Sequence, residues 1–166
     1  MKHAICIFIL AASMICPLIY IIKSIQFNQN CGGYLEQAAN ANTVELALDR
    51  LDHAVDYIER NNLTSGYTSV LWRTEDENVE FWYKNIKACR DELKIVSENE
   101  NATHLEKSNV LMKVRESLVN DSESVQVIVP QGISLYPNNL VWGILRLISY
   151  IAMLLVIGWA CFGDDF

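Results

Sequence analysis

Five aromatic side chains and one arginine lie within 17 consecutive positions of this chain: Tyr67, Trp72, Arg73, Phe81, Trp82 and Tyr83. Aromatic and arginine side chains carry much of the binding free energy at protein interfaces, so the group is a candidate surface for a protein partner. Three of the aromatics are consecutive, and one helical face cannot bury them all. Trp82 is expected in the core, so Phe81 or Tyr83 must point elsewhere, for example at the loop around Tyr67. The alternative, which the small size of the domain favours, is a loop pinned across one end of a helical bundle by its own aromatic side chains.

Arg146 interrupts a long apolar run, residues 140–162, in which no other side chain is charged. A cation at mid-membrane costs about 2.5–3.5 kcal/mol on insertion scales, and less near the edge. In the simpler outcome Arg146 extends to the lipid headgroups on the domain side, beside Trp142. In the other outcome it pairs with a carboxylate in the membrane segment of a different protein. The candidate partner-binding residues are therefore Tyr67, Trp72, Arg73, Phe81, Tyr83 and Arg146.

Cys31 and Cys89 are the only two cysteines between the two apolar ends of the chain. In an oxidising compartment a disulfide between them would tie the segment after the first apolar run to the central helix. The alternative is that Cys89 is a reduced core residue, because it falls in register with the apolar positions of that helix. The pair is a candidate disulfide, and the reduced reading is favoured.

Four carboxylates cluster before the central helix: Glu75, Asp76, Glu77 and Glu80. Such a cluster can bind Ca²⁺, but the alternating oxygen ligands and turn glycine of an EF-hand loop are missing. Acidic residues in the first turn of a helix also complement its dipole, which is the favoured reading.

His53 is predicted to share a helical face with Asp49 and Asp56, a spacing that would suit a metal ion. A single histidine among exposed ion pairs is the commoner arrangement, so we expect no metal site and no cofactor. The sequence has no Gly-rich phosphate loop, no Cys-x-x-Cys pair and no Gly-x-Ser-x-Gly motif. These absences predict that the protein is not an enzyme.

Two apolar runs enclose a polar middle segment. Residues 4–22 carry no charge, and residues 140–162 carry only Arg146, so each run is long enough to cross about 30 Å of hydrocarbon as a helix. No small-x-small cleavage pattern follows the first run, which favours an uncleaved anchor over a signal peptide. The predicted segments are a tail at 1–3, a transmembrane helix at 4–23, a linker with a short helix at 24–42, a helical-bundle domain at 43–123, an extended linker at 124–139, a transmembrane helix at 140–162 and an acidic tail at 163–166.

Three helices in the middle segment are predicted from apolar residues at steps of three and four, and each begins with a capping box. The capping pairs are Asn42 with Glu45, Thr74 with Glu77, and Thr103 with Glu106. The central helix, residues 74–97, carries an apolar seam formed by Val79, Trp82, Ile86, Cys89, Leu93 and Val96. The third helix places Leu105 among its apolar positions.

Two further patterns complete the prediction for the middle segment. The Gly32–Gly33 pair is expected to break or bend the helix. Alternation over Val125–Val129 predicts an extended segment that runs along the bundle, pairs with an unrecognised strand or pairs with another chain. The predicted fold is an all-α membrane protein in which two transmembrane helices flank a small antiparallel helical bundle, with a short extended segment before the second span.

The middle segment is acidic, with 18 acidic and 10 basic residues between positions 24 and 139. An acidic domain is a poor nucleic-acid binder and is not drawn electrostatically to anionic lipid. The leading hypothesis is a membrane-anchored interaction protein, an accessory or scaffold subunit that binds another integral membrane protein or a second copy of itself within the bilayer. The alternative is a ligand-sensing module that signals laterally to a partner membrane protein, because the short tails leave no room for a signalling domain.

The charges beside the apolar runs give a weak orientation signal. Lys2 favours a cytoplasmic N-terminus and Lys23 opposes it. We expect the cell (inner) membrane, with both termini cytoplasmic and the domain extracytoplasmic, because a leading apolar segment acts as an export signal.

Overall fold

The computed structural model describes residues 11, 13–71, 73–120 and 126–162, and it is mostly helical. The predicted tails, residues 4–10 and 12 of the first predicted span, Trp72, and residues 121–125, which include the start of the predicted extended segment, lie outside the described residues. One helix in the described part of the chain, Asn139–Trp159, is long and apolar enough to cross a membrane. A second span is therefore not shown.

The first helical stretch passes through the glycine pair without a break. Helix α1 (Ile15–Phe27) continues through a π-helical segment (Asn28–Gly32) into helix α2 (Gly33–Ala39). Both glycines have right-handed helical angles, so the predicted break is wrong. A side chain at Gly32 would lie 2.7 Å from Asn28 Oδ1, and one at Gly33 would lie 3.0 Å from the Asn28 carbonyl oxygen. The wider π turn crowds these positions, and glycine fits because it has no Cβ.

Helix α3 (Val44–Arg60) starts one residue later than predicted. Its N-cap is Thr43, whose hydroxyl accepts a hydrogen bond from the Leu46 backbone N–H at 3.2 Å. The predicted cap at Asn42 is therefore wrong. Thr43 has the extended backbone that a cap requires, and its hydroxyl stands three residues before the amide that it accepts from. Glu45 lies 3.7 Å from the Lys107 ammonium and does not close a capping box.

Helix α4 (Val79–Glu98) begins five residues after the predicted cap. A 3-10 turn (Glu75–Glu77) precedes it, and Asn78 caps it by accepting a hydrogen bond from the Phe81 N–H at 3.0 Å. The Thr74 hydroxyl donates to the Glu77 carboxylate at 2.6 Å, so the predicted Thr74 capping box does not form. The reason is tertiary, because Asn78 is extended and forms an antiparallel bridge with Tyr67.

Helix α5 (His104–Leu118) confirms the third capping box. The Thr103 hydroxyl accepts from the Glu106 N–H at 3.2 Å, and the Glu106 carboxylate accepts from the Thr103 N–H at 2.7 Å. The backbone hydrogen bond and the hydroxyl of Thr103 lower the pKa of Glu106. Leu105 is 69% exposed, so its predicted place in the core is wrong. It lies in the first turn of α5.

The core lies inside a ring of four helices. Helix α2 packs against α3 and α5, and α4 packs against the same two, so the short α2 completes a bundle for which the sequence predicted three capped members. Short turns join α2 to α3 and α4 to α5, as in antiparallel pairs. The predicted seam of α4 is confirmed, since all its members except the half-buried Val96 are buried.

The predicted extended segment pairs within its own chain. Strand β1 (Val119–Asn120) follows α5 directly and pairs antiparallel with strand β2 (Gln126–Val127), with Val119 opposite Val127. The Ile128 N–H donates to the Leu118 carbonyl oxygen at 2.8 Å, which extends the pairing by one residue. The described part of this segment therefore has its strand partner within the same chain.

The last helix, α6 (Asn139–Phe162), runs alongside α1. A 3-10 turn (Ile133–Leu135) packs against α1 before α6 begins. The Ser149 hydroxyl donates to the Ser13 carbonyl oxygen at 2.7 Å. Most large apolar side chains on α1 and α6 stay exposed, so this helix pair presents an apolar surface outside the bundle.

Candidate functional site

Tyr67 and Arg73 lie together on the loop between α3 and α4. The Arg73 guanidinium carbon lies 5.4 Å from the centroid of the Tyr67 ring. The Asn78 side chain donates to the Tyr67 hydroxyl at 3.2 Å, and the Val79 N–H donates to the Gly66 carbonyl oxygen at 2.9 Å. These bonds hold the loop against the start of α4. A loop pinned at the end of the bundle was the alternative interpretation of the aromatic group in the sequence.

Phe81 and Tyr83 diverge to different neighbours. Phe81 is 61% exposed in the first turn of α4. The hydroxyl of the half-buried Tyr83 donates to Glu59 Oε1 at 2.6 Å, and the Lys87 ammonium lies 5.8 Å from its ring centroid. The hydrogen bond to the Glu59 carboxylate raises the pKa of Tyr83. Tyr83 therefore links α4 to α3, and Phe81 is the one of the two that remains open to a partner.

A groove of about 530 Å³ lies beside Phe81. Its apolar walls come from Phe81 and Ile86 on α4 and from Ile128 after β2. The buried Trp82 also lines the groove, and its indole N–H donates to the Ile128 carbonyl oxygen at 2.8 Å. The sequence prediction missed Ile128 as a site residue, although the alternation over 125–129 had already marked it as part of an extended segment.

Two carboxylates, Glu75 and Asp76, stand at one end of this groove. Both are exposed, and neither has an ion-pair partner in the described part of the chain. The other two acidic residues of the cluster have partners. Glu77 accepts a hydrogen bond from the Thr74 hydroxyl, and Glu80 pairs with Lys84 at 2.6 Å. The groove lining therefore combines apolar side chains with amides, a hydroxyl and two carboxylates, which suits a segment that carries a basic side chain beside an apolar one.

Arg146 finds a neighbour that the sequence prediction did not consider. Its guanidinium carbon lies 4.9 Å from the centroid of the Tyr20 ring on α1. Among the described residues no carboxylate pairs with Arg146, so the aromatic ring is its electrostatic contact. The sequence shows Tyr20, but it does not show that α1 and α6 lie side by side and place Tyr20 next to Arg146. The structure does not bring Arg146 to the groove residues.

Cys31 and Cys89 are free, buried thiols, so the candidate disulfide is not formed in the structure. They lie in different elements. Cys31 lies in the π-helical segment, whereas Cys89 lies in the seam of α4. Burial raises the pKa of Cys31 from 9.0 to about 12, and burial also raises the pKa of Cys89.

The residues considered for metal binding have other contacts. The His53 ring stacks on Tyr34 at 5.1 Å between centroids, and its Nε2 lies 3.9 Å from Asp49 Oδ1. Asp56 pairs with Arg60 at 2.9 Å. Within the described residues no group of three or more His, Cys, Asp or Glu side chains is placed to hold a metal ion.

Comparisons with protein-family models, with curated proteins and with solved structures found no match to this chain.

Proposed function

We propose that this protein is a non-enzymatic, membrane-anchored interaction protein, an accessory or scaffold subunit of a membrane complex. The observation that carries the proposal is the exposure of Phe81 beside the groove. A large aromatic that is 61% exposed and lines a groove is a candidate interface anchor. The other aromatics of the described cluster have partners within the chain, which makes the surrounding surface rigid before a partner arrives.

The groove identifies the chemistry of that partner. Glu75 and Asp76 give its rim a negative charge, and the middle segment as a whole carries eight more acidic than basic residues (18 − 10). The expected partner therefore presents an apolar side chain flanked by Lys or Arg. In our proposal it is another integral membrane protein or a second copy of this chain, and no nucleic acid is involved.

The membrane part of the proposal adds α1 as a second span beside α6. Its support is the apolar surface that the two helices share and the absence of charge from residues 4–22. In this arrangement both termini are cytoplasmic and the domain is extracytoplasmic, in the cell (inner) membrane. Arg146 then lies about two turns inside the second span, where Tyr20 and a carboxylate of a partner are the two contacts open to it.

Photo-crosslinking tests the groove directly. A photoreactive phenylalanine analogue replaces Phe81 in one full-length variant and Leu105 in a control variant, since both side chains are strongly exposed. Illumination of intact membranes should give one discrete adduct from position 81 and none from position 105. Equal labelling from both positions, or no adduct from position 81, would contradict the proposal.

A sensor that signals laterally is the second candidate function. The observation in its favour is the unbroken helical path from Ile15 to Ala39, which joins the apolar helix to the bundle core. A π-helical segment at the junction is a feature that often occurs at functional sites. Thermal stabilisation of the full chain by a small molecule would favour this candidate over the scaffold.

A further inference from the structure

A polar pocket of about 440 Å³ lies where α1 enters the bundle. Residues from α1, from α3 and from the 3-10 turn line it, including Lys23, Asn30, Tyr57, Asn61, Ser134 and Tyr136. The turn packs against α1, so Ser134 is held on the same side as Lys23. The pocket is separate from the Phe81 groove, and no residue lines both.

The charge of this pocket is opposite to that of the domain around it. None of its lining residues is Asp or Glu, although the middle segment carries 18 acidic residues. Its one charged residue is Lys23, which has no ion-pair partner among the described residues. Most other lysines and arginines of the bundle are paired with a carboxylate, so an unpaired ammonium beside a carboxylate-free pocket is a local exception.

Two hydroxyl groups join Lys23 as donors. Tyr57 and Ser134 line the pocket, and within the described residues neither hydroxyl has a hydrogen-bond partner. The Tyr57 hydroxyl keeps its proton at neutral pH, because the ordinary pKa of tyrosine is about 10 and burial raises the pKa of Tyr57 further. By contrast, the Tyr136 hydroxyl donates to the Ser65 carbonyl oxygen at 2.6 Å and is already used. One lysine and two hydroxyl-bearing side chains that line one cavity are suited to an anion with several oxygen atoms.

The position of the pocket indicates where that anion comes from. Lys23 is the first charged residue after the apolar run, and Ile21, Ile22 and Ile25 around it are exposed. If α1 spans the bilayer, as our proposed function requires, Lys23 lies at the level of the headgroups. Acyl chains could then lie on the exposed isoleucines while the phosphate enters the pocket.

We propose that this pocket binds the headgroup phosphate of an anionic phospholipid. Lys23 supplies the charge, and the hydroxyls of Tyr57 and Ser134 donate to the phosphate oxygens. An anionic lipid is preferred over a zwitterionic one, because the pocket holds no carboxylate to receive a choline or ethanolamine cation. The acidic bundle repels anionic lipid in general, and this pocket is the place where that repulsion is relieved.

Native mass spectrometry of the full chain, reconstituted with equal amounts of phosphatidylglycerol and phosphatidylcholine, tests the proposal. The wild-type chain should retain phosphatidylglycerol preferentially. Lys23→Gln should reduce that enrichment about fivefold, and Ser134→Asp should reduce it further by placing a carboxylate in the pocket. Lys84→Gln is the matched control, since this exposed lysine pairs with Glu80 away from the pocket. The control should behave as the wild type does.

Two results would overturn the lipid proposal. The first is unchanged enrichment in both pocket variants, whose folding is checked by circular dichroism. The second is release of the lipid by millimolar inorganic phosphate, which would show that the pocket takes free phosphate and does not need the acyl chains. The partner proposal is judged separately by the adduct from position 81, so either proposal can fail while the other stands.

Discussion

The indole nitrogen of Trp82 lies 2.8 Å from the carbonyl oxygen of Ile128 and donates a hydrogen bond to it. This contact joins the central helix of the bundle to the segment that leads towards α6, across 46 positions of sequence. It also fixes the wall of the groove beside Phe81. One core residue thus serves both the stability of the bundle and the shape of the candidate site.

Trp82→Phe tests this relationship. The change removes the indole N–H and leaves the Ile128 carbonyl without its protein partner, which should destabilise the chain by about 1–2 kcal/mol. Hydrogen exchange at the Ile128 amide, which is bonded to the Leu118 carbonyl oxygen, should speed up more than exchange in α3. Thermal unfolding of the full chain in mild detergent and site-resolved exchange are the two measurements. Equal acceleration at Ile128 and in α3 would argue against a local role.

Phe81→Ser tests the groove as a docking surface. Because Phe81 is 61% exposed, its replacement should change the unfolding free energy by no more than about 0.5 kcal/mol. Loss of an interface anchor should weaken a complex at least tenfold, which corresponds to about 1.4 kcal/mol. Leu105→Ser, at a 69% exposed position, is the control and should leave the complex intact. Pull-down with purified partner at graded concentrations measures the difference, and equal affinity for both variants would exclude the groove.

A comparison of the single variants Arg146→Leu and Tyr20→Leu distinguishes packing of Arg146 on the Tyr20 ring from pairing of Arg146 with a carboxylate of a partner. If the cation only packs on the Tyr20 ring, both variants lose the same contact of about 1 kcal/mol and should weaken assembly equally. If a carboxylate of a partner is its main contact, Arg146→Leu should weaken assembly at least tenfold more than Tyr20→Leu. Our account predicts the second result. Density-gradient sedimentation of the solubilised complex is a suitable measurement.

The buried Cys31 thiol predicts a pH dependence of stability. Between its ordinary pKa of 9.0 and its folded pKa of about 12, the unfolded chain releases the thiol proton and the folded chain keeps it. The unfolded state then binds fewer protons, so this contribution is complete below pH 9.0 and is lost as the pH rises towards 12. The decline from one proton is at most about 1.4 kcal/mol per pH unit.

Thermal midpoints between pH 8 and pH 10.5 measure this effect. The thermal midpoint of the Cys31→Ala variant should fall less steeply with pH than that of the wild type over that interval. Some decline should remain in the variant, since the pKa values of Tyr57, Tyr83 and Cys89 are also raised. Parallel curves for the two proteins would show that the Cys31 thiol ionises at the same pH in both states.

Two patterns confined to one helix were predictable from the sequence, whereas the capping boxes at Asn42 and Thr74 were wrong. The seam of α4 and the Thr103 capping box depend on residues three or four apart, and both are confirmed. The start of α4 was not predictable, because the bridge between Tyr67 and Asn78 draws Asn78 out of the helix and moves the cap. A local pattern could not reveal a pairing across eleven residues.

The candidate site also combines features that a local sequence pattern predicts with features that depend on tertiary packing. Three consecutive aromatics on one helix predicted that Phe81 or Tyr83 points away from the core, but they did not predict which one. The Ile128 wall of the groove and the contact of Arg146 with Tyr20 depend on which elements lie side by side. The glycine pair was misread for a similar reason, since Gly32 serves the crowded turn around Asn28 instead of ending the helix.

The mass of the protein purified natively from its own membranes in mild detergent tests the central claim most directly. Our account predicts that the full chain elutes with a stoichiometric partner, either a larger membrane protein or further copies of itself. Phe81→Ser should reduce that species, and Leu105→Ser should not. A chain that elutes as a lone monomer, under conditions where known membrane complexes survive, would contradict the accessory-subunit function.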